Sequence, residues 1–210
     1  MSALDPWIIA LDNSLRTLGA AARASRPCPR PSSCPDQPDL TPEDQALAGA
    51  LMRVNHTGEV CAQALYEAQA LAARQPGVRD HMRAAAQDEV DHLAWTQARL
   101  TALKSRPSLL DPLWYAGAFS IGWVAGKAGD RWSLGFMAET ERQVEQHLNS
   151  HLDRLPAGDV ASRAIVTQMR DDEARHARTA IEHGGAELPR PVAWLMRRAA
   201  QVMTTVAHRL

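Results

Sequence analysis

Two copies of one short motif constrain this chain more than any other feature. Asp88-Glu89-Val90-Asp91-His92 and Asp172-Glu173-Ala174-Arg175-His176 both contain Asp-Glu-x-x-His. On a helix, residues three apart are neighbours on one face, so each Glu and His can bind one metal ion side by side. Each motif also follows a candidate partner: Glu59 lies 30 residues before Glu89, and Glu141 lies 32 before Glu173. Both halves thus repeat one plan, a Glu on one helix and Glu-x-x-His on the next. Four carboxylates in a bundle core would repel one another and be costly to desolvate without cations. Two hard or borderline cations need such oxygens, and two imidazoles complete the set while leaving open positions.

The residues around the motifs read as helix throughout. Asp5-Pro6 is a capping carboxylate followed by Pro at the first helical position. Ile8, Leu11, Leu15, Leu18 and Ala22 then form one apolar stripe. Six of the 13 prolines fall between Pro27 and Pro42, which marks a linker. Thr41-Pro42-Glu43-Asp44 opens a helix that stops before Pro76-Gly77, and another runs from about Val78 to Lys104. Residues 108–136 are apolar and rich in Gly and Trp. A helical pattern resumes through Glu139 to Leu155, and a further helix runs from Asp159 to about His183, before Gly184-Gly185. A last helix spans about Val192 to Arg209. No segment alternates like a strand. The expected organisation is an N-terminal amphipathic helix (1–24), a Pro-rich linker (25–41), a helical bundle (42–188) and a C-terminal basic amphipathic helix (189–210). One Glu from each of two helices and Glu-x-x-His from each of the other two is the ligand plan of ferritin-like di-iron and di-manganese bundles. The expected fold is therefore all-α, a ferritin-like four-helix bundle.

Composition excludes several alternatives. The 23 basic and 24 acidic residues nearly balance, so no basic excess points to nucleic acid. The three cysteines show no C-x-x-C spacing, which argues against a thiolate zinc site and fits a reducing compartment. Cys28 and Cys34 fall in the linker, and Cys61 reads as a small core residue. The N-terminus does not read as a secretory signal, with Asp5 early and no basic residue before Arg16. The longest uncharged run, Pro112 to Gly126, is too short to span a bilayer.

Individual positions keep alternatives open. A single Glu-x-x-His on a helix usually means solvated surface; the duplicated plan argues for metal. Glu139, Glu145 and His147 lie within reach of the position assigned to Glu141. The repeated dipeptides suggest Asp88 and Asp172 as acceptors for the ligand imidazoles. Tyr66, seven residues after Glu59, is either a core tyrosine or a phenol approaching the site. His56 and His147 are either adjacent to the site or packed on a helix face.

The segment Leu51-Met52-Arg53-Val54-Asn55-His56-Thr57-Gly58-Glu59-Val60-Cys61-Ala62-Gln63-Ala64-Leu65-Tyr66 resembles the signature around the first ligand of the demethoxyubiquinol hydroxylases, di-iron monooxygenases of ubiquinone biosynthesis. Asp88 to Leu93, Glu139-Thr140-Glu141 with His147-Leu148, and Asp172 to Ala177 are similar to the remaining motifs of that family. The resemblance covers about residues 45–188. It implies a ferritin-like fold and addition of one oxygen atom from O2 to the ring of a polyprenylated demethoxyubiquinol. It also implies two iron ions: Glu59 and His92 serve one, Glu141 and His176 the other, and Glu89 and Glu173 bridge them. The cycle would start from the diferrous state, with electrons from NADH or from the quinol itself. No Gly-rich dinucleotide fingerprint decides between these donors.

A long-tailed quinol lives in lipid, so a membrane surface is an expected partner, at the cytoplasmic face of the cell membrane. Six of the ten aromatic residues (Trp114, Tyr115, Phe119, Trp123, Trp132 and Phe136) lie in 108–136. Trp and Tyr favour the interface, so this segment either lies there or lines a route to the metals; the other reading is a buried crossover. In the C-terminal helix, Leu195, Ala199, Val202 and Val206 share a face, and Arg190, Arg197, Arg198 and Arg209 add positive charge. That face would bind anionic lipid or pack on the domain. An accessory lipid-binding protein and a homo-oligomer are further partners left open; nucleic acid is not expected. The rival functions are a ferritin-like ferroxidase, which needs no lipid contact, a radical-generating reductase subunit, and a non-enzymatic lipid-binding scaffold.

Overall fold

The structure is a computed structural model that describes residues 5–19, 22–30 and 40–210. Cys34 and most of the Pro-rich linker lie outside these residues. The described residues form seven helices: α1 (Asp5–Leu18), α2 (Pro42–Ala72), α3 (Pro76–Ala102), α4 (Asp111–Lys127), α5 (Asp130–Arg154), α6 (Val160–Glu182) and α7 (Arg190–Ala207). No strand occurs among them. Helices α2, α3, α5 and α6 make the all-α, ferritin-like four-helix bundle, and α1 and α7 are added at its ends.

Local chemistry sets the helix ends. The Thr41 hydroxyl accepts from the Asp44 backbone N–H at 3.1 Å, and Pro42 follows in the first turn. Asp159 caps α6 in the same way, accepting from Ser162 N–H at 2.9 Å. Short turns make α2–α3 and α5–α6 antiparallel hairpins. Asp130, at the start of α5, ties the hairpins together: its carboxylate accepts from the backbone N–H groups of Arg74 and Gln75 at 3.0 and 2.9 Å.

The apolar stretch 108–136 contains α4 and the first turns of α5. Helix α4 is the crossover between the hairpins and lies along α2. Glycine makes that approach close, because a Cβ on Gly122 would sit 2.5 Å from the Leu65 carbonyl oxygen. Only one face of α4 is buried, through Tyr115, Ala118, Gly122 and Gly126, while Leu113, Ile121 and Val124 are exposed.

The bundle core is divided in two. One apolar cluster includes Val60, Tyr66, Met82, Leu134 and Met137. The other includes Leu51, Met52, Trp95, Leu148, Val166 and Met169. Between them along each of the four long helices lie Glu59, Glu89 with His92, Glu141, and Glu173 with His176, all buried. Two packed apolar ends thus hold a polar layer at mid-bundle.

The terminal helices do not bury the stripes that the sequence displays. On α1, Ile8, Leu11 and Leu15 are about 60% exposed, while Ala10 and Thr17 are buried. Asn13 anchors α1 by donating to Glu67 at 2.8 Å, and Trp7 meets Trp123 of α4 with ring centroids 5.3 Å apart. On α7, Ala193 and Ala207 are buried while Leu195, Ala199 and Val202 face outward.

Candidate metal centre

The polar layer brings all six sequence-predicted residues together. Glu59, Glu89, His92 and Glu173 place one ligand atom each within 4.8 Å of one another, and so do Glu89, Glu141, Glu173 and His176. Glu89 and Glu173 belong to both groups. Glu141, not Glu139 or Glu145, points inward; Glu139 instead meets Gln143 at 2.7 Å and Arg197 at 3.5 Å.

Both imidazoles present the same nitrogen to the cluster. His92 Nδ1 lies 3.0 Å from Glu89, 3.2 Å from Glu173 and 3.6 Å from Glu59. His176 Nδ1 lies 3.3 Å from Glu173, 3.4 Å from Glu89 and 3.6 Å from Glu141. The outer nitrogens are held by aspartates: His92 Nε2 is 3.0 Å from Asp172, and His176 Nε2 is 3.0 Å from Asp88. Asp88 and Asp172 therefore occupy the acceptor positions that the repeated dipeptide suggests, each serving the histidine of the other motif. Such a carboxylate fixes the tautomer and ring orientation of a ligand imidazole.

The electrostatics call for positive charge at the centre. Burial and the neighbouring Glu89 push the Glu59 carboxyl well above the usual carboxylate range. Burial and Glu173 do the same to Glu141. Burial opposes protonation of His92, but Glu89 and the other surrounding carboxylates outweigh it and hold the imidazole well above its usual range. Glu89 Oε1 is buried with no hydrogen-bond partner. Four buried carboxylates, an orphaned oxygen and two inward imidazole nitrogens fit a pair of divalent cations, whose total charge would balance the carboxylates.

Tyr66 is buried, and its hydroxyl donates to Glu141. Burial and Glu141 raise the phenol well above its usual range, which keeps it a donor. His56 lies away from the cluster beside Asp111, 3.5 Å from its carboxylate. His147 meets His151 at a tilt, with ring centroids 4.0 Å apart and planes at 58°. Cys28 and Cys61 are free thiols, and Cys61 packs against the core.

Sequence reasoning missed Arg26 and Asp91. Arg26 donates to Asp91 at 2.7 Å and to Asp172 at 2.9 Å. The signal available was a charged residue directly before His92, but nothing local linked it to a position 65 residues upstream.

Residues 46–207 match the family model of the ubiquinone biosynthesis protein COQ7. The chain belongs to this family. It is similar along its whole length to curated members named 3-demethoxyubiquinol 3-hydroxylase. That of Polaromonas naphthalenivorans (strain CJ2) is 62% identical over 210 residues, covering 100% of this chain and 99% of the relative. That of Variovorax paradoxus (strain S110) is 60% identical over 209 residues, with 100% and 99% covered. That of Cupriavidus necator is 57% identical over 207 residues, with 99% and 100% covered. The six clustered residues and both supporting aspartates lie inside the matched span of this COQ7 family member.

Proposed function

We propose that this chain is a di-iron 3-demethoxyubiquinol 3-hydroxylase, which places a hydroxyl group on the ring of a polyprenylated demethoxyubiquinol. The carrying observation is the pair of four-residue clusters sharing Glu89 and Glu173. In this reading Glu59 and His92 would hold one iron and Glu141 and His176 the other, with Glu89 and Glu173, common to both groups, serving both. When bound, the two irons supply the activation of O2. One oxygen atom is inserted into a ring C–H bond and the other leaves as water, so two electrons and two protons are consumed, the electrons drawn from NADH or from the quinol itself.

The protein's own groups set the conditions for that chemistry. Asp88 and Asp172 keep both imidazoles turned with Nδ1 inward. Tyr66 holds Glu141 through its hydroxyl and keeps a proton beside the cluster. The apolar ends of the bundle exclude water from the charged layer.

The exposed apolar faces of α1, α4 and α7 support attachment to the cytoplasmic face of the cell membrane, where the substrate's prenyl tail resides. No helix among the described residues is long and apolar enough to cross a bilayer, so the contact proposed is peripheral. A ferroxidase would need none of these outward stripes.

The test is anaerobic reconstitution with ferrous iron, then exposure to O2 with a short-tailed demethoxyquinol and mass spectrometry of the product. Gain of one ring oxygen, lost in Glu173→Ala, is the expected outcome; oxidised iron with an unchanged quinol skeleton would show a ferroxidase instead. Flotation with anionic liposomes tests the peripheral contact: Leu195→Ser with Val202→Ser on α7, or Leu11→Ser with Leu15→Ser on α1, should weaken flotation, and unchanged flotation of both double variants would refute those faces.

A further inference from the structure

The stretch between α1 and α2 reaches the carboxylates that hold the candidate ligand histidines. The Ser25 backbone N–H donates to Asp91 Oδ1 at 2.6 Å, and the Ser25 hydroxyl lies 3.1 Å from both carboxylate oxygens. Arg26 Nε donates to Asp91 Oδ2 at 2.7 Å. Asp91 is buried, and among the described residues its side-chain partners come from Ser25 and Arg26 alone. Arg26 Nη1 donates at 2.9 Å to Asp172 Oδ2, the same oxygen that faces His92 Nε2. Arg26 Nη2 lies 3.8 Å from Asp88 Oδ1, whose other oxygen holds His176. The guanidinium also rests over the Trp95 ring, 5.0 Å from its centroid, and Trp95 Nε1 donates to the Arg26 carbonyl at 3.4 Å.

We propose that Arg26 is a positioning residue for both ligand histidines, acting through Asp172 on His92 and through Asp88 on His176. The inference rests on the reading of the six-residue cluster as the metal centre. Three carboxylates converge here from α3 and α6, and Arg26 is the cation that all three share. Without it, buried Asp91 loses its charged partner, and Asp172 and Asp88 keep only Arg175, at 2.7 and 3.2 Å, to offset their mutual repulsion. The aspartates then move apart, and the imidazoles they orient move with them. A planar guanidinium directs separate N–H groups at separate carboxylates, which an ammonium cannot do in one geometry. A strap from outside the bundle thus reaches the geometry at its centre.

The experiment uses full-length protein loaded anaerobically with 57Fe(II): wild type, Arg26→Ala, Arg26→Lys and Arg30→Ala as a strap control. Two quantities are read: the rate of iron transfer to a ferrous chelator and the Mössbauer spectrum of the loaded protein. Arg26→Ala should release iron roughly tenfold faster or more and show altered ferrous parameters, as is usual when support of a ligand is removed. Arg30→Ala should match wild type. Circular dichroism of the metal-free variants reports whether the bundle persists; if Arg26→Ala does not fold, Arg26→Lys is judged on the same two readouts. Wild-type release and spectrum in the variant so judged overturn the inference while leaving the metal centre intact. A wild-type protein that retains no iron overturns both.

Discussion

Asp88 and His176 sit on different helices and in different copies of the motif, yet Asp88 Oδ2 lies 3.0 Å from His176 Nε2. Asp172 answers with His92 at the same distance. The two hairpins therefore exchange supporting carboxylates, so orientation of each candidate ligand depends on α3 and α6 being docked together. The supports differ in setting: Asp172 is buried, whereas the Asp88 side chain is 34% exposed. Asp172→Asn should lower ferrous affinity by roughly 10–100-fold, and Asp88→Asn by less, because water can replace part of an exposed support. Competition with a ferrous chelator measures both, and equal losses would contradict the argument from burial.

The residues that would bind metal burden the metal-free fold. Glu59 is buried beside Glu89, and both burial and repulsion disfavour its charge. Glu59→Gln should raise the melting temperature of metal-free protein by several degrees, at about 2–4 °C per kcal/mol for a chain of this size. The same variant should lose iron binding. Calorimetry of the metal-free protein and iron titration together check the opposite signs.

The α2–α4 contact depends on a missing side chain. A Cβ on Gly122 would meet Leu65 backbone atoms at 2.5 and 2.9 Å, whereas Gly117 on the same helix has open space. Gly122→Ala should destabilise the fold by about 1–3 kcal/mol. Gly117→Ala should instead stabilise by up to about 1 kcal/mol, since alanine is the better helix former. Chemical denaturation of the two variants distinguishes these outcomes.

Acid should destabilise the protein through α5. Burial pushes His147 down to about 4 and, with His147 next, His151 down to about 2. Both lie below the ordinary histidine value near 6.5, so the unfolded chain binds more protons in this window. Their contribution is fully present above about pH 6.5 and is lost as pH falls from there, down to about 4 for His147 and about 2 for His151. At pH 5 the loss should be on the order of 2 kcal/mol for each histidine, about 4 kcal/mol for the pair. Urea unfolding from pH 7.5 to 5, in wild type and His151→Leu, measures it; the variant should show a shallower slope.

The candidate site was legible in the sequence to an unusual depth, because its residues occur as a local pattern repeated twice. Glu89 with His92 and Glu173 with His176 are neighbours within single helical turns, and helical spacing alone pairs them. The second duplicated feature, an Asp before each Glu, pointed to Asp88 and Asp172 but could not show that each serves the opposite hairpin. Helix α4 was the least legible element. Its glycines and aromatics point to an interfacial or entry-lining segment while leaving a buried crossover open, and only docking on α2 separates its buried face from its exposed one.

The sequence by itself determined the helical class, the repeated plan of a Glu helix followed by a Glu-x-x-His helix, and the inward residues apart from the choice of Glu141 over its neighbours, since these follow from periodicity, caps and spacing along the chain. It also displayed the stripes of α1 and α7 without saying which way they face. Tertiary structure decided that they face outward, and it brought Arg26 to Asp88, Asp91 and Asp172 across 62, 65 and 146 positions respectively. Contacts at such separations carry no local signature, because they depend on how finished helices pack and not on the pattern within any one of them.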